Sequence, residues 1–135
     1  MTFVTRKITR GLTRIKRGLQ KELILGNLQA RRDWGHAKDY VRAMWLMLQA
    51  SSPDDYVIAT GEARSVLEFL NAVAQVLTMD WRDCVKFDAQ YFRPTEAEWL
   101  CGDASKVRKA LGWKPEISFE QMVAEMVEAD LSAPA

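Results

Sequence analysis

The chain has 135 residues, 48% of them hydrophobic, and a formal net charge of +1. That is enough apolar material for a core, too much for a disordered chain, and a length that bounds it to a single domain. No run approaches the roughly 20 apolar residues that cross a bilayer. The charge is uneven: residues 1–50 hold 11 Lys/Arg and 3 Asp/Glu, residues 51–135 hold 8 and 15. Such asymmetry fits either an anionic ligand on the first part or mutual attraction between the two.

Residues 3–20 read as a helix. Val4, Ile8, Leu12, Ile15 and Leu19 form its apolar face; Arg6, Lys7, Arg10, Arg14, Lys16 and Arg17 lie opposite. That basic face fits a solvated surface, a single phosphate-facing cation, or a membrane or nucleic-acid helix. The absence of interleaved aromatics weighs against stacking on nucleic acid. Rich in Arg and Thr and free of acid, the stretch also has the composition of a mitochondrial presequence, though a packed helix accounts for it equally.

Leu23-Ile24-Leu25 reads as a short strand ended by Gly26-Asn27. Residues 31–41 then hold Arg31, Arg32, Asp33, Trp34, the only histidine (His36) and Tyr40. This polar knot opens onto a helix whose stripe is Ala37, Tyr40, Val41, Met44, Trp45 and Leu48. Leu46 and Met47 widen the stripe, so the helix is expected to have neighbours on most sides. His36 could act as a general base by residue type, but a histidine beside a helix start more often caps it.

Tyr56-Val57-Ile58-Ala59 is predicted to be a buried strand stopped by Thr60-Gly61. Ser65 and Glu68 form a capping box for a helix lined by Val66, Phe69, Leu70, Val73 and Leu77. A further strand is expected at Cys84-Val85-Lys86-Phe87. In Tyr91-Phe92-Arg93-Pro94-Thr95-Glu96, Pro94 stiffens the chain, and Arg93 and Glu96 either project as ligands or pair with each other. Asp103 should cap a short helix lined by Ala104, Val107 and Leu111 and ended at Gly112. Ser118 and Gln121 form a second capping box for a last helix, with Glu120, Glu125, Glu128 and Asp130 on its solvated face.

Cys84 and Cys101 lack CxxC spacing and read as reduced thiols. One histidine leaves little for a zinc site, and a cytoplasmic setting is expected. The sequence has no dinucleotide fingerprint, P-loop or GxSxG. No tyrosine has a lysine four residues on; those positions hold Met44, Thr60 and Thr95. The residues alone reach a small α/β domain with two arginine-centred polar knots.

A resemblance adds to this. The run Gly26-Asn27-Leu28-Gln29-Ala30-Arg31-Arg32-Asp33-Trp34-Gly35-His36-Ala37-Lys38-Asp39-Tyr40-Val41-Arg42-Ala43-Met44-Trp45 resembles the GDP-mannose 4,6-dehydratases, of the extended short-chain dehydrogenase/reductase superfamily. Phe3 to Thr9, Tyr56 to Glu62, Phe92 to Glu96, Gly102-Asp103, Leu111 to Pro115 and Glu125 to Asp130 continue it. Glu96-Ala97-Glu98 departs from the family's usual Glu-Val-Asp.

The resemblance implies an α/β, helix-rich C-terminal portion of a Rossmann-type enzyme, about five helices with a few short strands. Residues 1–135 would be the GDP-sugar-binding portion. The NADP-binding Rossmann domain, with the catalytic residues and Tyr-xxx-Lys pair, would be absent. No catalytic residue is therefore expected here, and NADP would belong to the missing part. In the family, hydride passes from mannose C4 to NADP, water leaves across C5–C6, and the hydride returns at C6 to give GDP-4-keto-6-deoxymannose. By resemblance, Lys7, Arg32, Arg93 and Glu96 contact the nucleotide sugar, with Asn27 a weaker candidate. Arginines suit a diphosphate through their planar fork, and a carboxylate accepts from ribose hydroxyls. The implied partners are GDP-mannose and either a missing N-terminal half or further copies of the chain, with no nucleic acid and no membrane. The chain would be inactive alone. A non-catalytic GDP-sugar-binding module or degenerate remnant is the alternative, and a basic-helix interaction protein a distant third. The helix at Tyr40–Leu48 is expected to pack on the missing half.

Overall fold

The computed structural model describes residues 3–88, 90 and 97–134. Among them are five α-helices and four three-residue strands. In order these are α1 (Val4–Lys16), β1 (Leu23–Leu25), β2 (Arg31–Asp33), α2 (Ala37–Gln49), β3 (Ala63–Ser65), α3 (Val66–Val76), β4 (Val85–Phe87), α4 (Ser105–Leu111) and α5 (Phe119–Ser132). The helix-rich α/β character expected from the sequence is present. The chain divides into two compact units, each assembled from separate stretches.

Unit 1 comprises Met1–Ala30, Ser65–Glu98 and Val123–Ala135. The parallel pair β1–β4, with Leu23 opposite Val85 and Leu25 opposite Phe87, has β1 beside α1, and α1 packs on α3. Ile8, Leu12, Leu25, Phe69, Leu70, Val73, Val123 and Val127 are buried, the helical positions among them recurring at intervals of three and four residues. The Ser65 hydroxyl accepts from the Glu68 N–H, and the Glu68 carboxylate accepts from the Ser65 N–H, completing the predicted capping box.

Two expectations need correction in this unit. α1 stops at Lys16 and Gly18 adopts φ of 72°, so Leu19 lies beyond the helix and is exposed. Asp130, predicted to be solvated, is buried and pairs with Arg6. It continues the Val123–Val127 stripe by three residues, and a burial stripe admits a carboxylate when a guanidinium meets it there. The basic face of α1 is thus partly satisfied internally: Arg17 also donates to the Ala133 carbonyl at 2.9 Å.

Unit 2 comprises Arg31–Arg64 and Trp99–Met122. β2 pairs with β3, and Arg31 bridges Trp99 in parallel sense. The core is Ala43, Ala59, Ala104, Val107 and Trp113, with Tyr40, Leu46, Tyr56, Ile58 and Leu111 packed against it. α4 ends at Gly112, whose φ of 65° suits glycine and whose N–H donates to the Arg108 carbonyl at 3.1 Å. Asp103 accepts from the Ser105 N–H, so its capping contact falls one residue beyond the assigned cap, Ala104. Ser118 and Gln121 form the second predicted capping box.

The expected inner stripe of α2 is on the wrong side. Val41, Met44, Trp45 and Leu48 are exposed, whereas Asp39 and Ala43 are buried. The buried Asp39 carboxylate accepts from the Glu116 and Ile117 N–H groups at 3.1 and 3.0 Å, and the Asp39 carbonyl accepts from Trp113 Nε1 at 2.9 Å. Those bonds anchor the 113–117 segment and roll the apolar stripe outward. Arg42 reinforces this by pairing with Glu116 and donating to the Lys114 carbonyl. The predicted strand at 56–59 is also absent: these residues pair in no ladder, and Val57 is exposed.

Candidate functional site

Arg32 occupies the middle of β2. Arg31 is tied back by its guanidinium to the Ala63 carbonyl at 3.0 Å, and its own carbonyl accepts from Leu100 N–H at 3.1 Å. Arg32 Nη1 donates to the Arg31 carbonyl at 2.7 Å. Arg32 lines an open groove of about 440 Å³ together with Asp33, Tyr40, Val57, Leu100 and Cys101.

Asp33 holds the walls of this groove together. One carboxylate oxygen accepts from the Thr60 N–H at 2.9 Å and the Thr60 hydroxyl at 2.6 Å. The other accepts from the Gly61 N–H at 2.9 Å and the Gly102 N–H at 3.2 Å. Three stretches distant in sequence are joined by one side chain. Burial alone would raise the pKa of this carboxyl, but the bonds from Thr60, Gly61 and Gly102 outweigh it and hold the group below the usual carboxylate value. Asp33 is therefore an ionised brace.

The neighbouring Tyr40 phenol is unsuited to proton transfer near neutral pH. Burial pushes the Tyr40 phenol up, and the charges of Asp33 and Asp39 push it the same way against a backbone hydrogen bond with Gly35. His36 Nδ1 accepts from the Lys38 N–H at 3.1 Å, which makes His36 the N-cap of α2. Trp34 stacks on Phe119 with ring centroids 6.5 Å apart, and the Arg64 guanidinium lies 5.4 Å from the Phe119 centroid. A second cavity of about 340 Å³ opens beside that aromatic pair, lined also by His36, Arg64, Glu62 and Glu116. In unit 1, burial and the charges of Asp83 and Asp80 push the Cys84 thiol up, so it stays protonated. Among the described residues no three acidic, histidine or cysteine side chains cluster as a metal site.

The residues singled out from sequence are distributed over both units. Lys7 lies on α1 and is half-buried, and Asn27 forms a turn in which its side-chain oxygen accepts from the Gln29 N–H at 2.8 Å. Both belong to unit 1, whereas Arg32 belongs to unit 2. Arg93 and Glu96 lie outside the described residues. The anchoring roles of Asp33 and Asp39 carried no sequence signal, because the backbone groups they meet are 27 or more residues away.

Comparison with known proteins decides the family. The family model for GDP-mannose 4,6 dehydratase matches residues 1–126. The chain belongs to the GDP-mannose 4,6-dehydratase family. It is 60% identical over 129 residues to GDP-mannose 4,6 dehydratase 2 of Arabidopsis thaliana, a match covering 96% of this chain and 35% of that protein. It is 48% identical to the GDP-mannose 4,6-dehydratase of Vibrio cholerae serotype O1, covering 96% of this chain and 42% of that one. The chain thus spans well under half the length of these relatives, and corresponds to their C-terminal part.

The structure of RMD from Pseudomonas aeruginosa complexed with NADPH superposes with a TM-score of 0.88 at 24% identity, covering 97% of this chain and 43% of that one. The UDP-glucose 4-epimerase of Thermotoga maritima, solved with UDP-glucose, gives 0.73 at 25% identity, covering 90% and 37%. The fold is accordingly that of Rossmann-type dehydratases and epimerases. No described helix is long and apolar enough to cross a membrane.

Proposed function

We propose that this chain is the nucleotide-sugar-holding portion of a GDP-mannose 4,6-dehydratase and has no dehydratase activity alone. The observation that carries the reading is Arg32. Within a chain of this family, it lines a groove and sits on a strand whose neighbour Asp33 is anchored at four points. A guanidinium held on a braced strand suits a diphosphate, because it loses little freedom when its charge-assisted bonds form. Lys7, Arg93, Glu96 and Asn27 are the further proposed contacts, Glu96 accepting from ribose hydroxyls.

The residues present do not fit NADP, the cofactor proposed for the complete enzyme. Its pyrophosphate needs a glycine-rich turn between a strand and a helix. Among the described residues, the β2–α2 connection contains one glycine, Gly35, and β3 runs directly into α3 through the capping Ser65. What these residues do in the proposed function is bind and orient GDP-mannose.

Isothermal titration of the full chain with GDP-mannose tests this. Binding is expected, and Arg32→Ala should weaken it by at least tenfold, since a charge-assisted hydrogen bond is worth about 1.5–3 kcal/mol. Absence of heat at high-micromolar protein, or equal binding by Arg32→Ala, would overturn the assignment. Binding of the sugar nucleotide by a chain that fails to yield the full enzyme with any complementing polypeptide would favour a non-catalytic binding module.

A further inference from the structure

Unit 1 holds a cavity of about 190 Å³ that none of the residues proposed for GDP-mannose lines. Its α1 side is arginine: Arg6, Arg10 and Arg14 recur at every fourth residue, and Arg17, the C-cap, continues the same face. Arg6 pairs with Asp130, which also lines the cavity. Arg14 donates to the Leu19 carbonyl at 3.4 Å and Arg17 to the Ala133 carbonyl at 2.9 Å. Among the described residues the exposed Arg10 side chain makes no hydrogen bond or ion pair. Four guanidinium groups and a single carboxylate thus line one concavity, which leaves it positively charged.

Two buried oxygens of the same lining residues lack partners. Thr13 is 1% exposed and Asp130 is 5% exposed. The Thr13 hydroxyl and Asp130 Oδ2, the carboxylate oxygen that Arg6 does not meet, have no hydrogen-bond partner. Buried polar groups are ordinarily satisfied, so two orphans at one cavity point to a missing ligand. That ligand must carry anionic oxygens for the arginines and for Thr13. It must also carry a hydrogen-bond donor for Asp130. Sulfate and phosphodiesters have the charge but no donor, and the carboxylate repels them. A phosphate group that keeps a proton has both.

We propose that the cavity between α1 and the end of α5 binds a protonated phosphate group. The source is free inorganic phosphate or the terminal monoester of a small phosphorylated molecule. The arginines of α1 hold the ionised oxygens through charge-assisted bonds, and the Thr13 hydroxyl donates to one of them. The phosphate's remaining O–H donates to Asp130 Oδ2. Asp130 is then the discriminating group: it accepts from a protonated phosphate and excludes a sulfate of similar shape. The site is independent of GDP-mannose binding, whose proposed contacts are other residues.

The test is calorimetric titration of the full chain at about pH 5.5, where a phosphate monoester, with a second pKa of about 6, still carries a proton. Inorganic phosphate, methyl phosphate and sulfate are compared at one ionic strength. Inorganic phosphate should bind about tenfold more tightly than sulfate, the worth of one charge-assisted bond. Equal binding of methyl phosphate would support the site with a phosphorylated molecule as the source, and its exclusion would support free phosphate. Thr13→Val should weaken phosphate about fivefold while leaving the thermal midpoint unchanged or higher, because it removes an orphaned hydroxyl. Arg10→Ala should weaken phosphate by about the same factor with an unchanged circular dichroism spectrum. Asp130→Asn should abolish the preference over sulfate; should it fail to fold, Thr13→Val and Arg10→Ala still decide. GDP-mannose heat should be unchanged in those two variants. Equal affinity for phosphate and sulfate, no phosphate heat, or full phosphate affinity in Thr13→Val would each overturn the proposal. Joint loss of phosphate and GDP-mannose binding in Thr13→Val would overturn it as well, by making the two sites one.

Discussion

Replacing Asp33 with Asn changes one atom and tests the organisation of unit 2. The wild-type carboxylate accepts from Thr60 N–H, Thr60 Oγ1, Gly61 N–H and Gly102 N–H. An amide keeps one acceptor oxygen, and its NH₂ faces the donors formerly met by the other. Leaving one or two backbone N–H groups unsatisfied costs about 1–3 kcal/mol each, and partial access of water to this half-buried residue lowers the sum to about 2–3 kcal/mol. Hydrogen exchange read residue by residue is the direct assay. The Thr60, Gly61 and Gly102 amides should exchange about 30- to 150-fold faster in Asp33→Asn, since 1.4 kcal/mol corresponds to a factor of ten.

The pH dependence carries a definite sign. The folded-state pKa of Asp33 lies below its ordinary value. Its stabilisation is therefore fully present above the unfolded carboxyl pKa of about 3.9 and is lost as pH falls through the folded value. The stability gap between wild type and Asp33→Asn in urea should be constant from pH 7 to 5 and shrink below pH 4. Unchanged exchange at the three amides, or a gap that persists undiminished at the lowest pH at which both fold, would refute the brace.

Gly102→Ala should destabilise the chain by about 1–3 kcal/mol, as overpacking does, because a Cβ there falls 2.3 Å from the Ala59 Cβ. Chemical denaturation of the Ala59→Gly/Gly102→Ala pair should show recovery of part of the loss, and a strictly additive double mutant would count against the contact. Arg6→Ala leaves the buried Asp130 carboxylate without its cation; a loss of about 1–3 kcal/mol is expected, tempered by the partial exposure of Arg6. Thermal unfolding measures it, and an unchanged midpoint would contradict the pairing. His36→Ala should cost about 1 kcal/mol through loss of the α2 cap while leaving GDP-mannose affinity within twofold by titration, and His36→Asn should restore the stability. A loss of affinity without a loss of stability would instead place His36 at the ligand.

The local punctuation of the chain was legible without its tertiary structure. Both capping boxes, the glycine end of α4, the three-residue strand β1 and the inner faces of α1 and α3 follow from side chains within a few residues of one another. The polar run 26–45 likewise carried the family resemblance in residue identity and order. Tertiary structure decided what depends on distant partners. α2 turns its larger apolar stripe outward because the Asp39 carboxylate finds the Glu116 and Ile117 N–H groups 77 and 78 residues on. Asp130 is buried because Arg6 meets it, and Asp33 braces the groove because Thr60, Gly61 and Gly102 converge on it. Periodicity scores a carboxylate as solvent-facing, but its burial turns on whether donors replace its water, and those donors lie far along the chain. The physical difference is one of range: caps, turns and stripes are short-range properties, whereas the direction a helix faces depends on everything packed against it.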